Sequence, residues 1–352
     1  MVRGHRHPGA ERGVQQHLKR LTTEDTEENH KRKANNLFPI LVLPQKSFPV
    51  FAFLRVPPCP LWLKLLRVFM TNTAQTIDPA HYAAVTDAIR AEAKKVLEAG
   101  TVAAVVGWQG GRRTGTAMPA IVTDPARVHE LIFSPACVNN LAVYLPRMAK
   151  DRRVGIVAKP CDIRSIVGLI QEKQVKRENL FIIGLGCHGV VDAQNLEVED
   201  FRIQDISSLE WTGEGLKVTT VSSEHALPRS DALRDMCLVC TKREPAIFDA
   251  KFGEGLPPEE SAPCPLPEMP EERRKYWSEQ FSRCIRCYAC RQVCPNCYCE
   301  ACFADRIEPR WTARKATADE AWMFHATRMM HLAGRCIGCG ECERVCPVDI
   351  PI

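Results

Sequence analysis

A cysteine motif that occurs twice near the end of the chain constrains this 352-residue sequence more than any other feature. Each copy has the form C-x2-C-x2-C-x3-C-P, and eleven of the 18 cysteines lie between residues 284 and 346. The motif cysteines are Cys284, Cys287, Cys290, Cys294, Cys336, Cys339, Cys342 and Cys346. A cubane 4Fe–4S cluster needs four thiolates, and closely spaced cysteines let one loop wrap around it. The doubled motif therefore predicts two 4Fe–4S clusters.

The fourth cysteine of each motif is expected to bind the cluster of the other motif, as in two-cluster ferredoxins. This predicts one cluster, cluster A, on Cys284, Cys287, Cys290 and Cys346. The other, cluster B, is predicted on Cys336, Cys339, Cys342 and Cys294. A zinc ribbon would need only two C-x2-C pairs, and disulfides would need an oxidising compartment, so both alternatives explain the pattern less well.

Three further cysteines follow the first motif closely: Cys297, Cys299 and Cys302. The sequence leaves open whether they bind another cluster, replace Cys294 as a ligand or remain free thiols.

The region before these motifs has the pattern of an α/β domain, which we place at residues 70–243. Apolar runs at 101–108, 151–159 and 180–186 predict buried strands, and helical segments alternate with them. This alternation predicts a partly parallel sheet. A glycine-rich segment at 109–116 matches neither the Rossmann nor the Walker pattern, so a phosphate loop and an ordinary turn both remain open.

Four cysteines of this region form a second candidate site. Cys161 and Cys187 follow two predicted strands, where functional groups of α/β sheets gather. Cys237 and Cys240 add a C-x2-C pair. A third metal cluster is one interpretation; buried core cysteines together with a zinc or redox pair are the other.

The remaining segments define the predicted domain boundaries. Seven prolines mark residues 244–270 as a linker, and residues 271–352 form a mainly α-helical dicluster ferredoxin domain. The chain ends six residues after Cys346, which suggests a truncated C-terminus. Residues 1–69 are basic and then broken by prolines, so we expect a disordered leader and a true start at Met70.

Charge and hydropathy narrow the expected partners and location. Residues 1–69 carry a net charge of +7 and the remainder −2, so nothing favours a nucleic-acid partner. No run of ~20 apolar residues exists, so no transmembrane segment is expected. The apolar stretch of the leader begins too late for an export signal, which predicts a cytoplasmic protein.

Three short stretches give the α/β region a family resemblance: Pro160–Arg164, Cys187–Val190, and Cys237-x2-Cys240-Thr241 with Asp249 and Gly253. They resemble the beta subunits of coenzyme F420-reducing hydrogenases and formate dehydrogenases. That resemblance implies a 4Fe–4S cluster on Cys161, Cys187, Cys237 and Cys240 beside a flavin. No distinctive flavin motif supports FAD, and Glu254 follows Gly253 where the family tends to have Asp.

The segment from Gly334 to Cys342 resembles the helical 2×4Fe–4S module of heterodisulfide-reductase-type and succinate-dehydrogenase-type proteins. The two resemblances together cover about residues 85–350.

The main functional hypothesis is an electron-transfer subunit of an anaerobic-type redox complex. Its partners would be hydrogenase, formate dehydrogenase or heterodisulfide-reductase-like subunits. Clusters in a row need no acid, base or nucleophile, so no catalytic residue is assigned. The alternatives are a flavin-containing subunit that itself reduces a deazaflavin or nicotinamide coenzyme, and a zinc-binding scaffold protein.

Overall fold

The computed structural model describes residues 79–352 except for residues 114, 192–195, 197–204, 213–214, 258–265 and 314. The leader and the proposed start at Met70 lie outside the described residues. We call residues 79–257 the body and residues 266–352 the cysteine-rich module. None of the described helices is long and apolar enough to cross a membrane.

The strands form a mixed sheet and a smaller antiparallel sheet. Their bounds are β1 (Val105–Gly110), β2 (Ala117–Val122), β3 (Val154–Ala158), β4 (Leu180–Leu185), β5 (Ile206–Trp211), β6 (Gly215–Thr220), β7 (Glu224–Pro228) and β8 (Ala250–Phe252). The larger sheet has the order β2-β1-β3-β4-β8, and only the β1–β2 pair is antiparallel. The partly parallel α/β body is thus confirmed.

Nine α-helices are described. They are α1 (Pro79–Glu98), α2 (Leu145–Met148), α3 (Pro160–Gln171), α4 (Arg229–Ala232), α5 (Asp235–Leu238), α6 (Pro270–Ser282), α7 (Ala289–Val293), α8 (Ala318–Leu332) and α9 (Glu341–Arg344). Short 3₁₀ helices occupy Pro125–Glu130, Leu141–Tyr144, Arg177–Asn179 and Phe303–Asp305. The two longest helices of the region predicted to be mainly α-helical are α6 and α8.

The central strands are buried because helices and loops cover them. Every residue of β3 is buried, and α3 follows it after one residue. Pro160 opens α3 at a position where the missing N–H costs nothing. At the third helical position, the Asp162 carboxylate accepts the backbone N–H of Lys159 at 2.8 Å. This junction fixes Cys161 at the carboxyl edge of the sheet.

Three features of the fold differ from the expectation or resolve it. The glycine-rich segment after β1 is the turn of the β1–β2 hairpin, with the Gly111 N–H donating to the Thr116 carbonyl at 2.8 Å. β8 lies inside the predicted linker, so the sheet takes a strand from beyond residue 243. The apolar residues of α8 recur at helical spacing, which predicts core packing for Met323, Phe324 and Met330, yet both methionines are exposed and Phe324 is buried.

Candidate iron–sulfur sites

The four cysteines predicted for cluster A line one cavity of the module. Cys284, Cys287, Cys290 and Cys346 all face it, and Phe324, Val348, Ile350 and Ile352 are among its apolar walls. Backbone N–H groups already point at two of the sulfurs. Arg286 donates to Cys284 Sγ at 3.3 Å, and Ile350 donates to Cys346 Sγ at 3.4 Å. A cavity with four thiols, apolar walls and amide donors fits the requirements of a 4Fe–4S cluster.

The two cysteine loops have the same backbone turns although their sequences differ. Arg286 and Tyr288 have φ values of 54° and 61° in the first loop. Gly338 and Gly340, at the equivalent positions of the second loop, have φ values of 66° and 67°. The left-handed region costs a non-glycine residue free energy, and such strain is typical of ligand sites. The shared geometry therefore indicates that both loops have the same task.

The thiols predicted for cluster B also lie close together. Cys294, from the first motif, interacts electrostatically with Cys339 and Cys342 of the second. Cys342 interacts with Cys336 in the same way. Cross-ligation requires this proximity, because Cys294 belongs to the first motif and would bind the cluster held by the second. The two ligand sets themselves stay a prediction.

Burial raises the pKa of four of these thiols, those of Cys284, Cys290, Cys339 and Cys342. It raises the pKa of the Cys290 thiol to about 11 and that of Cys339 to about 12. Both thiols are therefore neutral at pH 7, and metal binding requires thiolates. Cluster assembly must consequently release protons from the site.

The three additional cysteines occupy different surroundings. Cys297 is hydrogen-bonded to Cys294, and this bond, aided by Arg328, lowers the pKa of the Cys297 thiol to about 7. Cys302 interacts with Arg291, and Cys299 is exposed. Of the three, Cys297 is thus the one in contact with a predicted ligand of cluster B.

In the body, the structure brings three of the four candidate cysteines into mutual range. Cys161 interacts electrostatically with Cys187, and Cys187 with Cys237. The Gly189 N–H donates to Cys187 Sγ at 3.3 Å, and burial raises the pKa of the Cys187 thiol to about 11. Cys240 follows in the turn after α5, where its thiol donates to the Lys242 carbonyl at 3.3 Å. A third cluster on these residues stays a prediction.

A buried lysine lies beside this body site. Lys159 is 1% exposed, and its Nζ pairs with Asp162 Oδ2 at 3.2 Å. The same Nζ lies 3.9 Å from the centre of the Trp108 ring. Its charge acts on Cys161 and Cys187. Because Asp162 neutralises most of this charge, the pair mainly fixes the strand–helix junction that carries Cys161.

The module packs directly on the part of the body that carries the C-x2-C pair. Arg234 Nη1 donates to Glu341 Oε1 at 2.8 Å, and both side chains are buried. Gly340 lies so close to Met236 that an added Cβ would be 2.6 Å from the Met236 Cγ. The second cysteine loop therefore lies against α5. Accordingly, Cys339 is close enough to Cys161 to act on its charge.

The thiols do not have the spacing of a mononuclear metal site. No three His, Cys, Asp or Glu side chains in the described ranges converge tightly enough to hold one ion. A zinc site needs that convergence, because all four ligands bind the same ion at about 2.3 Å. The thiolates of a cubane bind four different irons and stand further apart. The zinc alternative thus receives no support from the geometry.

Two buried residues of α8 lie beside predicted cluster ligands; from the sequence, His325 could be either a cluster-edge residue or a packed histidine, and Arg328 has no predicted role. His325 is buried, its Nε2 lies 3.3 Å from Cys284 Sγ, and its ring stacks on Phe281. Arg328 is buried three positions later and contacts Cys290. The spacing of apolar residues along α8 could have drawn attention to Arg328. Ala321, Phe324, Arg328 and Leu332 share one helical face, so the arginine interrupts an otherwise apolar stripe.

Comparison with known proteins separates the chain into two matched regions. Residues 151–261 match the family described as the carboxy terminus of the coenzyme F420 hydrogenase/dehydrogenase beta subunit. Residues 280–350 match the 4Fe–4S dicluster domain. The second match contains all eight cysteines of the doubled motif.

Two curated relatives align with much of the chain. The F420-dependent formate dehydrogenase subunit beta of Methanocaldococcus jannaschii is 23% identical over 328 residues, which is 75% of this chain and 86% of the relative. The F420-dependent formate dehydrogenase 1 subunit beta of Methanococcus maripaludis is 25% identical over 312 residues, covering 70% and 80%.

Among solved structures, a chain of the F420-reducing [NiFe] hydrogenase complex from Methanosarcina barkeri aligns with a TM-score of 0.37 and 14% identity. The alignment covers 48% of this chain and 64% of that one.

The two regions matched by family, residues 151–261 and 280–350, confirm both parts of the resemblance seen in the sequence. This chain therefore joins a region that matches the carboxy-terminal family of coenzyme F420 hydrogenase/dehydrogenase beta subunits to a region that matches the 4Fe–4S dicluster domain.

Proposed function

We propose that this chain is an electron-transfer subunit that relays single electrons through a row of 4Fe–4S clusters. The observation that carries the proposal is the cavity lined by Cys284, Cys287, Cys290 and Cys346. Clusters A and B would share the module, so an electron could pass between them over a short distance. The protein sets their potentials through burial and through hydrogen bonds to sulfur.

The contacts support a specific order along the relay. Cys161 of the body site acts on Cys339 of cluster B, and Cys290 of cluster A acts on Cys342 of cluster B. In this order cluster B lies between a third cluster in the body and cluster A, so electrons would pass through it. One predicted ligand of each module cluster is exposed, Cys287 for cluster A and Cys336 for cluster B, so both clusters are accessible for electron exchange with another protein.

The names of the relatives supply the partner class. Both aligned beta subunits are called F420-dependent formate dehydrogenase subunits. We accordingly place this chain beside a formate dehydrogenase-type or hydrogenase-type catalytic subunit. It would carry electrons between that subunit and a second redox centre.

Cluster content tests the proposal directly. The chain is purified anaerobically, iron and acid-labile sulfide are counted, and EPR spectra are recorded after dithionite reduction. We expect about 12 irons per chain if all three sites are filled and about 8 if only the module is filled. Fewer than two cubane clusters per chain would refute the relay. A colourless, zinc-loaded protein would support the scaffold alternative.

A second candidate function is reduction of coenzyme F420 by the chain itself. The observation that favours it is the match of residues 151–261 to a coenzyme F420 hydrogenase/dehydrogenase family. Hydride exchange with a deazaflavin needs a two-electron carrier, and the resemblance implies a flavin. Flavin absorbance that persists through purification, with F420-dependent turnover, distinguishes this function from a pure relay.

A further inference from the structure

Arg328 lies inside the module, between residues of both cluster sites. Its side chain is 4% exposed, which is rare for a guanidinium that lacks a carboxylate partner. Nη2 donates to the backbone carbonyl of Cys290 at 3.1 Å. Its charge also acts on the thiols of Cys342 and Cys297. One cation therefore contacts a predicted ligand residue of cluster A and acts on a predicted ligand of cluster B.

Three other buried cations among the described residues have carboxylate partners. Lys159 pairs with Asp162, and Arg234 pairs with Glu341. Arg286, also in the module, lies 3.6 Å from Glu320. Within the described residues, the groups that act most strongly on Arg328 are all cysteines: Cys290, Cys297, Cys342 and Cys294. Its Nε has no hydrogen-bond partner there.

A buried charge without a counter-charge is strongly destabilising. Among the described residues, the cysteines that act on Arg328 can supply this negative charge as thiolates and through the clusters that they bind. A 4Fe–4S cluster with four thiolates is anionic, and it becomes more negative by one charge when it is reduced. A fixed cation in a water-poor interior stabilises the reduced form more than the oxidised form.

We infer that Arg328 is an internal counter-ion shared by clusters A and B, a positioning residue that raises the reduction potentials of both. This inference rests on the proposed function, since it requires both clusters to be bound.

The test is a redox titration of the anaerobically purified full-length chain, monitored by EPR. Arg328→Gln removes the charge, and Arg328→Lys keeps it while losing the planar fork. Arg274→Gln, in the exposed part of α6, removes the same charge in solvent and serves as the matched control. Iron and sulfide are counted for every variant.

We expect lower midpoint potentials for both clusters in R328Q. Potentials of R328K should lie closer to the unaltered chain, and those of R274Q should not move. A fully loaded R328Q protein with unchanged potentials would overturn the counter-ion role. An R328K shift as large as that of R328Q would do so as well.

Loss of iron from the variants also distinguishes a role of the Arg328 charge from a role of its shape. If R328Q fails to retain iron while R328K retains it, the requirement for charge is supported. If both variants lose iron, the role is one of shape and the inference is wrong. Absence of clusters from the unaltered chain would instead refute the proposed relay, so the two failures are distinguishable.

Discussion

Arg234 in the body and Glu341 in the cysteine-rich module form a buried ion pair across 107 residues of sequence, with 2.8 Å between Nη1 and Oε1. Glu341 begins α9 and lies between Cys339 and Cys342, two predicted ligands of cluster B. Arg234 precedes α5, which contains Cys237. The pair therefore joins the backbone of the second cysteine loop to that of the body site.

Removing Glu341 should be costly because it leaves Arg234 buried without this carboxylate. We expect Glu341→Leu to lower the free energy of unfolding by about 3–5 kcal/mol, measured by denaturant unfolding under anaerobic conditions. Arg234→Met should cost less, because Arg344 Nη2 still donates to Glu341 Oε2 at 2.9 Å. The double variant should recover part of the loss.

Lys150 and Glu300 provide the control for this pair, since they also join body and module but are 59% and 87% exposed. Lys150→Met should change stability by less than about 1 kcal/mol. Equal effects of the buried and exposed substitutions would contradict the role given to Arg234 and Glu341.

Gly340 offers a second test of the contact between body and module. Gly340→Ala places a methyl group against Met236 and forces alanine to φ 67°. Gly334→Ala imposes a similar backbone cost at φ 74°, with nothing within 4 Å of the added carbon. We expect G340A to lower the melting temperature further than G334A, and Met236→Ala to narrow that gap. Indistinguishable melting temperatures would show that the loop does not press on α5.

The crossed ligand assignment makes an unusual prediction for Cys346. It lies in the second motif, yet Cys346→Ser should remove the same cluster as Cys287→Ser in the first. The EPR spectra of the cluster that remains should match in these two variants and differ from that of Cys336→Ser. If C346S instead resembles C336S, each motif binds its own cluster.

Cys302→Ser should keep the full iron content.

Substitutions at two cysteines of the body distinguish a cluster ligand from a thiol that is only packed in the core. Cys161→Ser should lower the iron content by about 4 per chain if the third cluster exists. Cys137 is fully buried, and Lys159 acts on its thiol, yet it belongs to no predicted ligand set. Cys137→Ser should therefore keep its iron. Loss of iron from both variants would point to unfolding of the body rather than to a missing ligand.

The sequence predicted those elements whose pattern is set by local chemistry. The strands around Ile156 and Ile182 are continuous apolar runs, and the spacing of the cysteines follows from the shape of the cluster. The antiparallel sheet β5–β7 was not foreseen, because its strands are short and only alternate residues such as Leu216 and Val218 are buried. Alternation over five or six residues is a weak signal.

Contacts between residues far apart in the sequence could not be predicted either. Nothing in the residues around Arg234 names Glu341 as its partner, because a charge pattern carries no information on which distant loop packs against it. The same holds for the strand pairing of Ala250 with Ile183, which draws part of the predicted linker into the sheet. Tertiary packing decided both.

The exposure of Cys287 and Cys336 has a consequence for handling the protein in air. Each of the two sites in the module has one ligand sulfur at the surface, while Cys290 is buried. Oxidants attack cysteine sulfur according to its thiolate character and its accessibility. Dioxygen should therefore begin to degrade both clusters from their outer corners, and the chain should bleach in air before it unfolds.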